Sequence, residues 1–434
     1  MCLEQQGEED EAMGIQMIQF NSLLAVFLVF FLSRILIKEA LTWTNIRHLQ
    51  RHGRQVPEIF RDEIDGATLS RMTDYTVTSA CFSSLAGIFD DLLTLAVLLS
   101  GLLPWLAGVI AGWHIHFVAS GLLFFGCLAL VGGALDIPFD LYRIFGIEKR
   151  YGFSTITFSL WVADSLKSLG VSVVLMGLLG GAFLTLIHYA EGSWWFWSWL
   201  LFASFQMLML WLYPVIIAPL FNRFEPIQDS NLKEAVMELA NRAGLEVSGI
   251  YQVDEGKRSR HTNAYFTGLG KTKRIVLFDT LLASHTQEEI LAILAHEIGH
   301  WKKKHILKQL VFMELASLAV FYLFSRLLNW PLLYLTFGFP EQVTYAGLLL
   351  IGILAGPFFF FLNPLGAAAL RKFEREADDY SLMLMGTAAP IIQALKRLAK
   401  DNLSNLFPHP LYVKFYYSHP PLLERISRLM EPSN

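Results

Sequence analysis

Cysteine is nearly absent from this chain: Cys2, Cys81 and Cys127 are its only three. An odd number with no CxxC spacing indicates neither a disulfide framework nor a thiolate metal site. Charge is also scarce. Only 17% of the 434 residues are Asp, Glu, Lys or Arg against 54% hydrophobic, too polar-poor a balance for the surface of an ordinary water-soluble globule. The net charge of −4 gives no reason to expect a nucleic-acid partner, local runs such as Lys302-Lys303-Lys304 notwithstanding. No sequence repeat and no low-complexity tract is present. What remains is a membrane protein.

The apolar residues gather into blocks of about 20, the length a helix needs to cross roughly 30 Å of hydrocarbon. Seven blocks are expected to span: Met17–Ile37, Ile88–Gly112, Phe117–Leu135, Leu166–His188, Trp194–Ala218, Leu310–Trp330 and Thr344–Leu370. The first is preceded by an acidic stretch, Glu8, Glu9, Asp10 and Glu11, where a cleaved signal would be basic, and reads as a retained span. Alternate connections lack Lys and Arg altogether: Trp113–His116, Tyr189–Ser193 and Pro331–Val343. The others are basic, with Lys38 and Arg47 after the first block, Arg143 and Lys149 after the third, Arg371 and Lys372 after the seventh. Positive connections stay cytoplasmic, so the N-terminus is expected outside and the C-terminus inside, with Trp194, Trp195, Trp197 and Trp199 in an interfacial belt. The membrane is a bacterial inner membrane if the chain is bacterial, the endoplasmic reticulum if eukaryotic.

One connection is long enough to be a domain, and four regions follow: 1–221 with spans one to five, a cytoplasmic α+β domain at 222–309, spans six and seven at 310–370, and a C-terminal cytoplasmic region at 371–434. Within the domain, Asp229 or Ser230 caps a helix with Leu232, Val236, Leu239 and Ala240 on one face, stopped by Gly244. Val247–Val253, Ala264–Thr267 and Arg274–Phe278 read as strands of a small sheet. Thr286 with Glu289 forms a capping box at the start of the next helix.

That helix carries His296-Glu297-Ile298-Gly299-His300, an HExxH motif. Four residues of helix bring both imidazoles to one face, where their nitrogens converge on a single zinc ion. A catalytic site takes a third protein ligand and leaves a position for water, which Glu297 can deprotonate as general base for attack on a carbonyl. By chance alone HExxH arises in roughly one chain in a hundred of this length. A second acidic group, Phe373-Glu374-Arg375-Glu376-Ala377-Asp378, puts Glu374 and Asp378 on one helical face; Glu374 can ligate and Asp378 can orient a ligating histidine. Taken alone it is a solvated face. Asp136, Asp140, Asp164 and Asn363 divide evenly between satisfying helix ends and lining a polar interior. His114, His116 and His188 fall at span ends with no acidic partner at helical spacing and are excluded from the site.

These residues resemble the CAAX prenyl protease 1 family, integral membrane zinc metalloproteases. The likeness runs through Phe145–Phe153, Pro219–Phe224, His261–Phe266, Lys273–Thr280, the HExxH segment, Phe373–Asp378 and Tyr417–Arg425. It implies a mainly α membrane protein, seven transmembrane helices forming a hollow helical barrel closed by the α+β metalloprotease domain. It also implies one Zn2+ on His296, His300 and Glu374 rather than Glu376, substrate extended along Asn263 and Ala264, and His419 and Arg425 lining the site. The substrate would be a peptide or protein, prenylated in the family's best-known activity, met at the lipid bilayer. The chain is shorter than eukaryotic members, and Glu431-Pro-Ser-Asn434 is not an ER-retrieval ending, which fits a bacterial member. A general membrane quality-control protease is the alternative of the same class. A non-catalytic channel or transporter would share the span number, but an intact HExxH with Glu374 and Asp378 argues against it.

Overall fold

A computed structural model of the chain describes residues 17–267 and 273–431. The acidic stretch Glu8–Glu11, Cys2 and residues 432–434 lie outside the described residues.

Helices dominate, and their ends follow local chemistry. The first, Ser22–His52, starts where Asn21 Oδ1 accepts from the backbone N–H groups of Leu23 and Leu24 (3.0 and 3.2 Å). Because it starts at Ser22, its apolar run ends at Ser33, before Arg34, Lys38 and Glu39. These charges are held across the helix interface: Arg34 pairs with Asp91, and Ser84 donates to Glu39. Five described helices are long and apolar enough to cross a bilayer: Gly66–Leu99, Phe117–Glu148, Phe158–Tyr189, Trp194–Phe221 and His305–Leu327. A sixth is counted if the pair Thr344–Phe360 and Asn363–Met385, bent by 60°, makes one span. The expected count of seven is reached only if the charged first helix is included.

Three expected spans and two expected region boundaries differ from the structure. The second block was expected at Ile88–Gly112, but the helix occupies Gly66–Leu99; Gly101, at φ +77°, breaks it, and a short helix follows at Leu102–Ala111. The hydroxyl-rich first half, from Thr68 to Ser84, hides this helix from a hydropathy reading. The third continues past Leu135, through Pro138 and a wider-wound π segment at Tyr142–Glu148. The seventh breaks at Phe361–Leu362, with Pro364 in the first turn of the new helix. The region boundaries at 309/310 and 370/371 fall inside the continuous helices His305–Leu327 and Asn363–Met385.

Between residues 222 and 304 lies a four-stranded sheet in the order β1-β2-β4-β3: β1 Phe224–Pro226, β2 Gly249–Val253, β3 Ala264–Thr267 and β4 Arg274–Phe278. β2 and β4 are parallel, the other pairs antiparallel, and β3 is left at an edge. The helix Ser230–Arg242 is capped by Asp229 and followed by Gly244 at φ +61°. It packs Leu232, Val236, Leu239 and Ala240 against Ile250, Ile275 and Leu277 of the sheet and Leu294 and Ile298 of the helix Gln287–Lys302. A separate cluster, including Phe60, Met72, Tyr151, Phe153, Leu395 and Ile426, joins the ends of the long helices nearest the sheet to the C-terminal helices. Arg258 adds polar ties, donating to Asp164 (2.8 Å) and to the Phe221 carbonyl (2.7 Å).

Candidate metal centre and active site

The helix Gln287–Lys302 opens on the capping box, with Thr286 and Glu289 bonding each other's backbone N–H groups. It then lies against Asn363–Met385 at close range, because Gly299 has no side chain. A Cβ there would come within 3.0 Å of the Ala377 Cα and carbonyl oxygen. Ser381 donates to the Ala292 carbonyl (3.0 Å) across the same buried seam.

This contact brings residues 78 positions apart into one cluster (374 minus 296). His296 Nε2 and His300 Nε2 are 3.2 Å apart, and each is 3.3 Å from an oxygen of Glu374. Among the described residues these three are the group arranged to hold a metal ion. Glu374 Oε2 is buried with no hydrogen-bond partner. Glu376 faces elsewhere, its Oε2 3.0 Å from His305 Nε2.

Support surrounds the cluster. Asp378 Oδ1 lies 2.8 Å from His296 Nδ1, and Arg425 clamps Asp378 with Nε to Oδ2 (2.9 Å) and Nη2 to Oδ1 (2.6 Å). Arg425 is buried and so gives two of its three guanidinium nitrogens to Asp378. Glu424 pairs instead with Arg375 (2.7 Å). His419 Nε2 sits 3.3 Å from Glu374 Oε1, and its Nδ1 is 2.8 Å from Ser418 Oγ. His305 was not singled out by the sequence: its Nδ1 is 3.1 Å from His300 Nδ1, so His300 has its own supporting pair in His305 and Glu376. The only signal was a third histidine five residues after the motif, beyond a turn in which Lys304 takes φ +56°.

The electrostatics follow from burial and these partners. Burial disfavours the charged form of His296, but the Asp378 and Glu374 carboxylates outweigh it and push its pKa up to about 9. Burial likewise opposes the Asp378 anion, yet His296 and Arg425 hold it down to about 2. Glu374 is drawn well below the carboxylate range by His296 and His300 despite burial. Glu297 moves the other way, raised by burial against the opposing influence of the two histidines.

Glu297, His296, His419 and Arg425 share a cavity of about 600 Å³ with Asn263 and Ala264 at the start of edge strand β3. The excluded histidines lie apart: His116 Nε2 meets Tyr189 Oη at 3.1 Å, and its ring and that of Phe117 pack on His188. Asp140 is satisfied by Arg143 and Trp161, whereas Asp164 accepts from Arg258 through Oδ2 and its Oδ1 is buried without a hydrogen-bond partner.

Known proteins resemble this chain along most of its length. Residues 45–223 match the family described as CAAX prenyl protease N-terminal, five membrane helices, and residues 226–433 match peptidase family M48. The chain is 34% identical to CAAX prenyl protease 1 of Saccharomyces cerevisiae, over 86% of this chain and 88% of the relative. It is 30% identical to the CAAX prenyl protease 1 homolog of Homo sapiens, over 88% and 90%. The crystal structure of S. mikatae Ste24p superposes with a TM-score of 0.88 at 31% identity, covering 95% of this chain and 100% of that one.

Proposed function

Since the chain belongs to the CAAX prenyl protease 1 family of M48 peptidases and is a multi-pass membrane metalloprotease, we propose that it is a zinc endopeptidase that cuts membrane-associated polypeptides, CAAX-type processing of prenylated peptides among them. The observation carrying this is the donor triangle of His296, His300 and Glu374 beside Glu297.

The donors fit zinc. Bonds of about 2.0–2.1 Å in tetrahedral array put ligand atoms roughly 3.3 Å apart, which matches the separations of 3.2 and 3.3 Å. One zinc ion held by His296, His300 and Glu374 supplies Lewis acidity towards a peptide carbonyl and towards water. The protein's own groups do the rest. Glu297, its carboxylate facing the cavity and raised by burial, takes the proton of the attacking water and returns it to the leaving amine. His419 is a donor to the oxygen on which negative charge develops. Arg425 acts chiefly through Asp378, fixing the orientation of His296, with its remaining nitrogen available to substrate. The polypeptide lies extended on the β3 edge at Asn263 and Ala264, a strand edge being a ready template for backbone pairing.

The same reading takes the first helix as a seventh span and the seven helices as a hollow barrel, with regions 1–221, 222–309, 310–370 and 371–434 and the C-terminus cytoplasmic. Large apolar side chains exposed along Leu92, Val173, Leu178, Phe312 and Leu315 support lipid-facing surfaces. Labelling of single introduced cysteines tests the orientation; an externally accessible C-terminus refutes it.

For the chemistry, Glu297→Gln should keep stoichiometric zinc and lose detectable cleavage of a farnesylated peptide. Near wild-type turnover in that variant removes Glu297 as base. Failure of the wild-type protein to cut either a farnesylated or an unmodified peptide removes the endopeptidase reading.

A further inference from the structure

One arginine is out of place among the membrane helices. The connections Trp113–His116, Tyr189–Ser193 and Pro331–Val343 contain no Lys or Arg, as on a side from which cations are depleted. Arg326 nevertheless stands in the last turn of His305–Leu327, at that same end. It lies 21 residues beyond His305 (326 minus 305), so roughly 30 Å along the helix, a membrane's thickness from the metal donors. A charged group in such a place calls for a partner. Arg326 is exposed, and no described residue gives it an ion pair or a hydrogen bond.

Arg326 lines a cavity of about 550 Å³ in which the one acid is Glu191. Two antiparallel helices, Trp194–Phe221 and His305–Leu327, bring the pair together. Trp199 Nε1 donates to the Glu314 carbonyl (3.1 Å), and nearer the Arg326 end the rings of Trp195 and Tyr322 meet edge to face at 5.2 Å. Arg326 is one turn beyond Tyr322 and Glu191 is four residues before Trp195, so both charges continue the same seam past the aromatic pair. Both rings stand in the cavity wall, whose remaining polar groups are hydroxyls and amides. Glu191 and Arg326 form no ion pair with each other. The wall thus presents a positive point and a negative point beside aromatic rings.

Such a wall is complementary to a small group that carries an anion and a cation together. A planar guanidinium matches a phosphate diester in shape and charge, a carboxylate pairs with an ammonium, and aromatic faces attract the same cation. The surroundings indicate where that group comes from. Leu323 and Tyr322 are exposed beside the cavity, as are Trp197 and Trp330, a mixture of apolar and amphipathic aromatic surface suited to the headgroup level of a bilayer.

We propose that Arg326 and Glu191, with Trp195 and Tyr322, bind the headgroup of a zwitterionic phospholipid at the membrane face farther from the metal site. The phosphate lies on Arg326 and the ammonium group on Glu191.

The test uses the full-length protein, delipidated in detergent and titrated with three probes while bound adducts are counted by native mass spectrometry. The probes are phosphatidylethanolamine, phosphatidylglycerol with the same acyl chains, and the chain-free headgroup glycerophosphoethanolamine. Phosphatidylethanolamine should bind about tenfold tighter than phosphatidylglycerol, the scale of one charge-assisted hydrogen bond. Glu191→Gln should close that gap by weakening phosphatidylethanolamine alone. Arg326→Gln should weaken both lipids about equally, since both carry the phosphate. Arg326→Lys should retain most of the binding, a check that does not depend on how the glutamine variant folds. Equal affinity for the two lipids in the wild-type protein, or unchanged binding in Arg326→Gln, overturns the proposal. Glycerophosphoethanolamine binding as tightly as the intact lipid overturns the membrane source and assigns the cavity to a soluble headgroup.

Discussion

Gly299→Ala tests whether the seam between the two long helices sets the metal geometry. The added Cβ would stand 3.0 Å from two backbone atoms of Ala377 and 3.1 Å from Tyr380 Cβ, where ordinary contact begins at 3.4 Å. Backbone cannot rotate aside as a side-chain tip can, so the helices must part by about half an ångström in a close-packed interior. Overpacking of this kind costs about 1–3 kcal/mol, offset by about 1 kcal/mol for replacing glycine within a helix. Global stability should therefore fall by no more than about 2 kcal/mol. The metal site is less forgiving. His296 and His300 flank Gly299 on one helix and Glu374 sits on the other, and ligand distances tolerate only about 0.2 Å. Zinc affinity should drop about 10- to 100-fold, the range found when support of a ligand is disturbed. Competition with a chromophoric chelator measures this directly. Gly170→Ala, at a position where a Cβ meets nothing within 4 Å, is the matched control. Wild-type zinc affinity in Gly299→Ala would show that the seam does not position the ligands.

Three further outcomes are expected. Removing a ligand in Glu374→Ala should abolish tight zinc binding as well as turnover; stoichiometric zinc in that variant, by metal analysis, would shift the assignment. His419→Ala should keep zinc but lose on the order of 10²-fold in turnover, as for one oxyanion donor, whereas Arg425→Ala should also weaken zinc by freeing Asp378; equal metal affinity in the two variants would contradict the division of roles. His261 lies 3.5 Å from Glu148 and 2.9 Å from Asn402 Oδ1; burial opposes its cation, but these partners raise its pKa above 6.5. A raised folded-state pKa means its stabilisation is complete below about pH 6.5 and fades as pH rises through the folded value. The thermal midpoint should thus decline as pH rises above about 6.5, and His261→Gln should flatten that decline.

Much of the site was legible because it is local. The HExxH spacing, the capping box at Thr286 and Glu289, the Asp229 cap and the strands at Gly249–Val253 and Arg274–Phe278 depend on neighbours a few residues away. Pairing Glu374 with the histidines was not local: it rests on family likeness and on the close approach at Gly299, which no periodicity reports. His305 was missed because the turn at Lys304 carries it out of the register of the preceding helix, so its spacing from His300 looked meaningless. β1 was missed because three residues ending in Pro226 make no pattern. The second span was misplaced for a different reason: its first half is rich in hydroxyl side chains, which hydropathy scores as loop though a helix in a protein interior accommodates them.

The connections on either side of the histidines and of Glu374 are short. Only Lys303 and Lys304 separate the histidine helix from the bilayer-crossing helix His305–Leu327, and only Phe361 and Leu362 separate the Glu374 helix from Thr344–Phe360. With so little slack at both anchors, the metal donors and the helices flanking them are coupled: a shift of either neighbouring helix passes to the histidines or to Glu374 instead of being absorbed in a loop.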